Sequence, residues 1–212
     1  MGNDEIIAKA ARVSTGKDQE PNDKIKGLIN YLARERHTSP FEHTALTVRV
    51  EAPIFVAREA MRHRTFSFNE ISGRYAELKP EFYVPDEARP LVNVGSGAHP
   101  ELVHPPCDDE YSEEYLGTYG SHMNLYQEAW EWYQTMLENG IATEVARNVL
   151  PVGIYTSWYM TGNLHAWFNF LRLRDGSEGH PQYEIVNMAQ QVWPIIEEHW
   201  PIAARAWKEK DG

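Results

Sequence analysis

Apolar and polar residues follow two different periods along this chain, one typical of helices and one typical of strands. Residues 22–36 carry apolar side chains at helical spacing behind Asn22 or Asp23 as the N-cap, which predicts an amphipathic helix that ends before a turn at 37–40. Its apolar positions are Ile25, Leu28, Ile29 and Leu32. Residues 44–50 alternate apolar and polar side chains instead, and therefore predict a half-buried strand.

The pattern that follows predicts further helices and one more strand. Pro53 fits the first turn of a helix that continues to Met61 and leads into residues 62–64. Residues 121–150 are predicted to be helical, with an aromatic block followed by a second segment over 143–150. Pro151 closes this second segment, because proline removes a backbone donor and ends a helix. The later predicted elements are a strand over 154–161 and helices over about 164–172 and 182–199.

Residues 85–120 fit neither period. They are rich in Pro, Gly, Asp and Glu, which predicts a variable surface excursion. Elsewhere, helices surround a few strands without the regular alternation of a doubly wound fold, and no G-x-G-x-x-G follows a strand. We therefore expect a single α+β domain over residues 1–212, with a small mixed or antiparallel sheet flanked by helices, and not a Rossmann fold.

Composition and charge narrow the class of protein. The 212 residues, 42% of them hydrophobic, suffice for one domain with a substantial core. A net charge of -11 argues against general nucleic-acid binding, and no apolar run approaches the roughly 20 residues of a membrane span. The N-terminus lacks the basic start and apolar core of a secretory signal, so we expect a cytoplasmic protein. Cys107 is the only cysteine, so neither a disulfide framework nor a cysteine-based metal site is expected, and we expect no metal.

One short segment of this acidic chain is densely cationic. Its cations are Arg58, Arg62, His63, Arg64 and Arg74, and the polar residues between them include Ser67, Asn69, Ser72 and Gly73. Glu59 and Glu70 could pair with the arginines in a solvated network of little energetic weight. Hydroxyl, amide and glycine N–H groups beside guanidinium forks are, however, the donors that position phosphates and base edges. The segment therefore indicates an anion and nucleotide site.

The same segment resembles a signature of flavin-dependent thymidylate synthases. Residues 62–74 match R-H-R-x-x-S-x-N-x-x-S-x-R at all seven fixed positions. Further segments resemble the family in the same order, namely residues 10–14, 37–43, 144–151 and 163–174. The resemblance implies conversion of dUMP to dTMP, with 5,10-methylenetetrahydrofolate as methylene donor and reduced FAD, recharged by NADPH, as hydride donor. It also implies a homotetramer with FAD and active sites at subunit interfaces.

The resemblance further implies which residues bind FAD. In the family, these are the R-H-R stretch, a serine or threonine before Pro-Phe-Glu-His, and polar residues of a late helix. Carried over, they are Ser14, Ser39, Arg62, His63, Arg64, Glu70, Asn163, Leu164, His165 and Asn169. His165 stands where relatives often carry arginine, so its contact with the flavin pyrophosphate is expected to be weaker or pH-dependent. The alternative for His165 is an ordinary histidine on a helix surface.

The dUMP contacts are implied in the same way. They are Glu59, Arg62, Glu70, Ile71, Ser72, Gly73, Arg74, Arg147 and Arg174. Glu59 departs from the glutamine that the family often has there. The resemblance gives Arg174 the catalytic role of favouring the N3-deprotonated uracil, and its alternative is a cation that complements a helix end or pairs with Asp175. No enzyme nucleophile is then required, and Ser72 is a nucleotide contact.

Two rival functions remain open on the sequence. The first is a catalytically impaired protein of the same fold that binds dUMP or another nucleotide, which the departures at Glu59 and His165 keep in play. The second is a helical nucleotide phosphohydrolase, which would need clustered carboxylates for Mg²⁺. The glutamate pairs at 113–114 and 197–198 resemble solvated helix faces more than such a cluster. His37 and Tyr75 are candidate stacking surfaces for folate or flavin rings.

Overall fold

A computed structural model describes residues 1–19, 24–106 and 111–209. The helices in these ranges are α1 (Asp4–Arg12), α2 (Ile25–Arg34), α3 (Ile54–Ala60), α4 (Glu113–Glu138), α5 (Thr143–Ala146), α6 (Leu164–Arg174), α7 (Tyr183–His199) and α8 (Pro201–Glu209). The strands are β1 (Leu46–Pro53), β2 (Ser67–Glu70), β3 (Val92–Asn93), β4 (Leu102–Val103) and β5 (Tyr155–Gly162). Short 3₁₀ turns cover Val13–Thr15, Ser39–His43 and Arg147–Val149.

The strands form two small sheets. One has three strands in the order β1-β5-β2, and the other is the antiparallel pair β3–β4, in which Val92 lies opposite Val103. Helices account for most of the other regular structure. This confirms the α+β fold with a small sheet that the sequence predicted.

The chain divides into two compact units. Unit 1 comprises Met1–Arg49, Met61–Phe68 and Tyr159–Gly212, and unit 2 comprises Val50–Ala60 and Asn69–Trp158. The chain crosses between the units four times, and three of these boundaries fall inside strands β1, β2 and β5. The single domain over residues 1–212 stays a prediction.

The core of unit 1 is built around α6. Its aromatic side chains Trp167, Phe168 and Phe170 are fully buried, so that α6 is apolar on most of its circumference. The Phe168 ring stacks on that of Trp207 from α8 with centroids 4.5 Å apart, and Phe41 meets both rings edge-on. Helix α6 also packs against α7 and the Ser39–His43 turn. Both ends of α6 are therefore held by a rigid core.

A buried carboxylate joins the N-terminus of unit 1 to α8. Asp4 is 7% exposed, and its two carboxylate oxygens accept from the backbone N–H groups of Ile202 and Ala203, each at 2.9 Å. Burial raises the pKa of Asp4, and the two hydrogen bonds oppose that rise. Asp4 thus caps the first turn of a helix that lies 198 positions away in sequence.

Unit 2 is organised by aromatic side chains of the long helix α4. Tyr133 is fully buried, and its hydroxyl oxygen accepts from the Leu78 N–H at 3.2 Å. Tyr126 stacks on Phe82 with ring centroids 4.6 Å apart. The backbone of Gly153 lies directly against Tyr126, where a Cβ atom would collide with the phenol. These contacts attach the segment after β2 to α4.

Two predicted boundaries need correction. The strand predicted over 44–50 has the predicted alternation of burial, but it continues to Pro53, which ends β1 and does not open the next helix. Helix α3 begins at Ile54, whose N–H donates to the Ile154 carbonyl at 3.0 Å. A proline without an N–H suits the end of a strand as well as the start of a helix. Asn22 and Asp23, the predicted N-cap of α2, lie outside the described residues.

The excursion predicted over residues 85–120 is partly regular. Its first part contains the β3–β4 pair, and α4 begins at Glu113, earlier than the sequence pattern predicted. Ser112 explains that start, because its hydroxyl oxygen accepts from the Tyr115 N–H at 3.1 Å as an N-cap. Helices α1 and α8 and strand β2 were not predicted. All three are short, and α1 and α8 are held by long-range contacts such as those of Asp4.

Neither a metal cluster nor a membrane span is found in the part of the chain that the structure describes. Within it, no group of three or more His, Cys, Asp or Glu side chains is arranged to hold a metal ion. None of its helices is both long and apolar enough to cross a membrane. Cys107 lies outside the described residues.

The cap of α8 leads to a test of stability. We expect Asp4→Ala to lower the free energy of unfolding by about 2 kcal/mol, because one buried and one part-buried N–H group lose their acceptor. Urea denaturation followed by circular dichroism measures this loss. Glu5→Ala is the matched control, since Glu5 is the exposed neighbour in the same turn and should change stability by less than about 0.5 kcal/mol. Equal losses in the two variants would contradict the role of Asp4.

Candidate active site

The signature segment over residues 62–74 runs through both units. It follows α3, contains β2, and passes from unit 1 to unit 2 between Phe68 and Asn69. The predicted site residues therefore form two sets. The set in unit 1 comprises Ser14, Ser39, Arg62, His63, Arg64, Asn163, Leu164, His165, Asn169 and Arg174. The set in unit 2 comprises Glu59, Glu70, Ile71, Ser72, Gly73, Arg74 and Arg147.

In unit 1, the predicted catalytic arginine is bound to the histidine of the signature. Arg174 is the last residue of α6, and its Nε donates to Nε2 of His63 at 3.1 Å. Because Nε2 accepts, His63 is neutral and carries its proton on Nδ1. Burial and then the Arg174 charge lower the pKa of His63 from 6.5 to about 4, so the ring stays neutral near pH 7.

The His63 ring lies against aromatic side chains of the unit 1 core. Its centroid is 4.9 Å from that of Phe170 and 6.5 Å from that of Phe66, both edge-on. Phe66 in turn lies 4.7 Å from Trp167. Gly162 leaves the space for Phe66, since a Cβ atom there would come within 2.5 Å of the phenyl ring. Both partners of this hydrogen bond, His63 and Arg174, are thus attached to the unit 1 core.

Asp175 was the other partner considered for Arg174, and it has contacts of its own. Its two carboxylate oxygens accept from the Trp193 Nε1–H at 3.1 Å and from the backbone N–H of Ser177 at 2.9 Å. These bonds tie the loop after α6 to α7. The hydrogen bond to His63 joins Arg174 to the signature segment, and the catalytic role of Arg174 stays a prediction.

A second chain of side chains runs along α6 and includes His165. Its Nδ1 lies 3.1 Å from Oε1 of Glu42, and its Nε2 lies 3.0 Å from Nδ2 of Asn169. His165 and Asn169 are four residues apart, so their side chains lie on the same face of α6. His165 therefore has a carboxylate and an amide as neighbours, and its contact with the cofactor stays a prediction. Glu42 was not named as a site residue from the sequence, although it belongs to the matched Pro-Phe-Glu-His stretch.

Three predicted cofactor residues make local structural contacts. Asn163 caps α6, because its Oδ1 accepts from the N–H three residues later at 2.8 Å. Leu164 is 1% exposed, and its N–H donates to Thr44 Oγ1 at 2.9 Å. Ser14 donates to a carbonyl oxygen in the last turn of α1 at 3.1 Å. Their binding to a cofactor stays a prediction. The exposed members of the unit 1 set are Ser14, Ser39, Arg62 and Arg64.

In unit 2, the start of α5 holds Arg74. The Arg74 Nε donates to Glu144 Oε2 at 3.1 Å, and the Arg74 carbonyl accepts from the Thr143 hydroxyl at 2.6 Å. Both ionic side chains are 52% exposed, so the ion pair contributes little to stability. The guanidinium also lies 5.3 Å from the ring centroid of Tyr75, a candidate stacking surface that is 82% exposed.

A glycine brings Arg147 against the turn at residues 72–74. Gly73 is buried, and a Cβ atom there would lie 3.3 Å from Cδ of Arg147 and 3.2 Å from Leu78. Ser72 Oγ accepts from the Arg74 N–H at 3.3 Å, which stabilises the turn. Two arginines and a serine of the predicted dUMP site therefore converge on one turn.

The remaining predicted dUMP residues are fixed by β5 or lie on α3. Glu70 Oε1 accepts from the Thr156 hydroxyl at 2.7 Å, and the Ile71 N–H donates to the Ser157 carbonyl at 2.9 Å. The Ile71 side chain is 45% exposed despite being apolar. Glu59 is half-buried on α3. These contacts set the backbone that leads into the turn at 72–74.

Comparison with known protein families gives a match over nearly all of the chain. Residues 1–202 match the family model described as thymidylate synthase complementing protein. The flavin-dependent thymidylate synthase of Thermus thermophilus is 42% identical over 209 residues, which is 99% of this chain and 73% of that protein. The enzyme of the same name from Streptomyces coelicolor is 47% identical over 195 residues, or 86% of this chain and 77% of that protein.

Solved structures show a similar fold. The UMP/dUMP methylase PolB from Streptomyces cacaoi, bound with 5-Br dUMP, is 40% identical and has a TM-score of 0.87, covering 98% of this chain and 91% of that one. Its complex with 5-Br UMP has the same TM-score and identity and covers 97% of this chain and 89% of that one. The likeness extends over nearly the whole chain in both cases.

The lowered pKa of His63 predicts how stability changes with pH. Between about pH 6.5 and pH 4, the unfolded chain binds a proton at His63 that the folded chain does not, so stability falls as the pH is lowered through this range. We expect His63→Gln to remove this contribution and to flatten the dependence. Urea denaturation between pH 7 and pH 5 measures it, with His199→Gln in α7 as the control. Parallel curves for wild type and His63→Gln would disprove the assignment.

Proposed function

Because the chain belongs to the flavin-dependent thymidylate synthase family, we propose that it converts dUMP to dTMP with 5,10-methylenetetrahydrofolate as methylene donor, FAD as flavin and NADPH as reductant. The observation that carries the proposal is Arg174, held by His63 of the signature at the end of α6. The family resemblance gives this arginine the activating role. The arginines and serine that converge on the turn at residues 72–74 support a nucleotide substrate.

The unit 1 set fits FAD in its chemistry. A pyrophosphate requires cations and strong donors, and Arg62 and Arg64 present exposed guanidinium groups beside the anchored His63. His165 carries a carboxylate partner on one ring nitrogen and the Asn169 amide on the other, which fixes its orientation. When bound, reduced FAD supplies the hydride. Arg62, Arg64, His165 and Asn169 bind and orient it.

The unit 2 set fits the phosphate and base of dUMP. Arg74 and Arg147 provide positive charge in a chain whose net charge is -11. The half-exposed ion pair of Arg74 with Glu144 is weak enough for a phosphate to compete with it. Ser72 and the backbone at Gly73 supply neutral donors at the same turn. The local cationic site thus overcomes the overall repulsion of an anionic substrate.

Arg174 provides the catalytic electrostatics. A guanidinium remains charged at any accessible pH, so it stabilises negative charge on the uracil ring and favours loss of the N3 proton. The ring is then more nucleophilic at the carbon that accepts the methylene group. No covalent bond to the enzyme is needed, which leaves Ser72 as a binding residue whose hydroxyl already accepts a backbone N–H.

The proposal includes a cytoplasmic homotetramer with FAD and active sites at subunit interfaces. Its support is the resemblance, together with apolar side chains that the single chain leaves exposed. Val145, Val149 and Val152 lie close in sequence and are 52%, 37% and 48% exposed. Sedimentation equilibrium of the purified protein tests the assembly, and a monomer would refute it.

The first experiment records the visible absorbance of the protein and then adds NADPH anaerobically, with and without dUMP. We expect flavin bleaching that responds to dUMP, followed by dTMP formation when the folate is added. We expect Arg174→Ala to lower the rate of dTMP formation by about a hundredfold, because it removes a charge at the reacting ring. The matched control is Arg205→Ala, which removes an exposed arginine of α8 and should leave the rate unchanged.

Several outcomes would count against the proposal. A protein that neither carries nor takes up FAD is not a flavin-dependent synthase. Tight dUMP binding without flavin reduction would favour the catalytically impaired alternative. Family membership and the hydrogen bond between Arg174 and His63 make that alternative the weaker one. Phosphate release that requires a metal ion would favour the phosphohydrolase instead.

UMP is a second candidate substrate. The similar UMP/dUMP methylase PolB has been solved in complex with 5-Br dUMP and in complex with 5-Br UMP. The same assay with UMP in place of dUMP distinguishes a strict thymidylate synthase from an enzyme that accepts both nucleotides. We expect dUMP to have the higher kcat/KM, and a ratio near one would identify a dual enzyme.

A further inference from the structure

The hydrogen bond between His63 and Arg174 uses one particular nitrogen atom of each side chain. Arg174 uses Nε, the inner nitrogen of its guanidinium, and His63 uses Nε2, the ring nitrogen farther from its backbone. A hydrogen bond through Nε restrains the plane of the guanidinium, in which the two terminal nitrogens also lie. The direction in which this arginine presents its donors therefore depends on the position of the His63 ring.

We infer that His63 is a positioning residue for Arg174, which sets the orientation of the guanidinium that acts on the uracil. This goes beyond the cofactor contact that the family resemblance implies for His63, and it rests on the proposed function of Arg174. A histidine that acted only on the cofactor would not need to accept from Arg174.

The surroundings of the ring support this role. His63 contacts Phe170, which lies four residues before Arg174 on α6. The same helix therefore positions both the His63 ring and Arg174. Phe66 lies beside Phe170 and also meets the His63 ring edge-on, and Gly162 provides the space that Phe66 occupies. The neutral tautomer is maintained because protonation would place a second positive charge 3.1 Å from the guanidinium. The acceptor is thus held in place and kept as an acceptor.

Three substitutions separate positioning from other roles. His63→Gln places an amide oxygen near the position of Nε2, His63→Asn places it near Nδ1, and His63→Leu removes the acceptor. We expect kcat for dTMP formation to stay within about threefold of wild type in His63→Gln. It should fall by about tenfold to a hundredfold in His63→Asn and His63→Leu, as expected for the loss of a hydrogen bond to a charged group. His199→Gln, an exposed histidine of α7, is the control and should match wild type.

The affinity for FAD is measured on the same proteins. If His63 positions Arg174, kcat differs between His63→Gln and His63→Asn while their FAD dissociation constants remain within about threefold of each other. Equal kcat values in all three variants would overturn the inference. So would a loss of FAD affinity that accounts for every loss of rate, since His63 would then act through the cofactor alone.

A readout without turnover separates this inference from the proposed function. Arginine-selective ¹⁵N labelling detects the Nε–H signal of Arg174, which is assigned by its loss in Arg174→Lys. We expect this proton to exchange slowly with water in wild type and in His63→Gln, and quickly in His63→Asn and His63→Leu. If wild type forms no dTMP but this pattern holds, the proposed function fails and the positioning contact stands. If dTMP forms but exchange is the same in all variants, the positioning role is wrong.

Discussion

Helix α6 is buried on most sides by aromatic rings, and the candidate site of unit 1 depends on that burial. Trp167, Phe168 and Phe170 pack into the core, so the helix cannot rotate or slide without disrupting several ring contacts at once. The packing of the helix therefore also fixes the positions of the polar residues at its two ends. Asn163 caps the first turn, and Arg174 closes the last one against His63.

Polar groups at this site are organised through hydrogen bonds between neutral and charged partners. His63 remains neutral beside Arg174, and His165 lies between a carboxylate and an amide. Both ring nitrogens of His165 therefore have a partner, and in His63 the Nε2 atom accepts from a cation. In unit 2, by contrast, Arg74 is held by a solvated ion pair that an incoming anion can replace. The side chains around Arg174 are thus more buried than the ion pair of Arg74 and Glu144.

The sequence predicted the long or strongly periodic elements well. The alternation in β1 and the helical spacing of His165 and Asn169 follow from local geometry, so a single chain segment contains the information. Helix α8 was missed because its cap is supplied by Asp4 from the other end of the chain, which no local window reveals. Strand β2 was missed because four residues carry too little periodicity, and its place beside β5 is a tertiary property.

The sequence by itself determined the family, since residues 62–74 match the family signature at all seven fixed positions. It also specified the side chains proposed to carry the chemistry, because the matched segments name residue types at given positions. Only the tertiary structure decided their partners: His63 with Arg174, Glu42 with His165, and Glu144 with Arg74. Each pair joins segments far apart in the chain, and the approach of such segments is set by burial of the core, which no local pattern encodes.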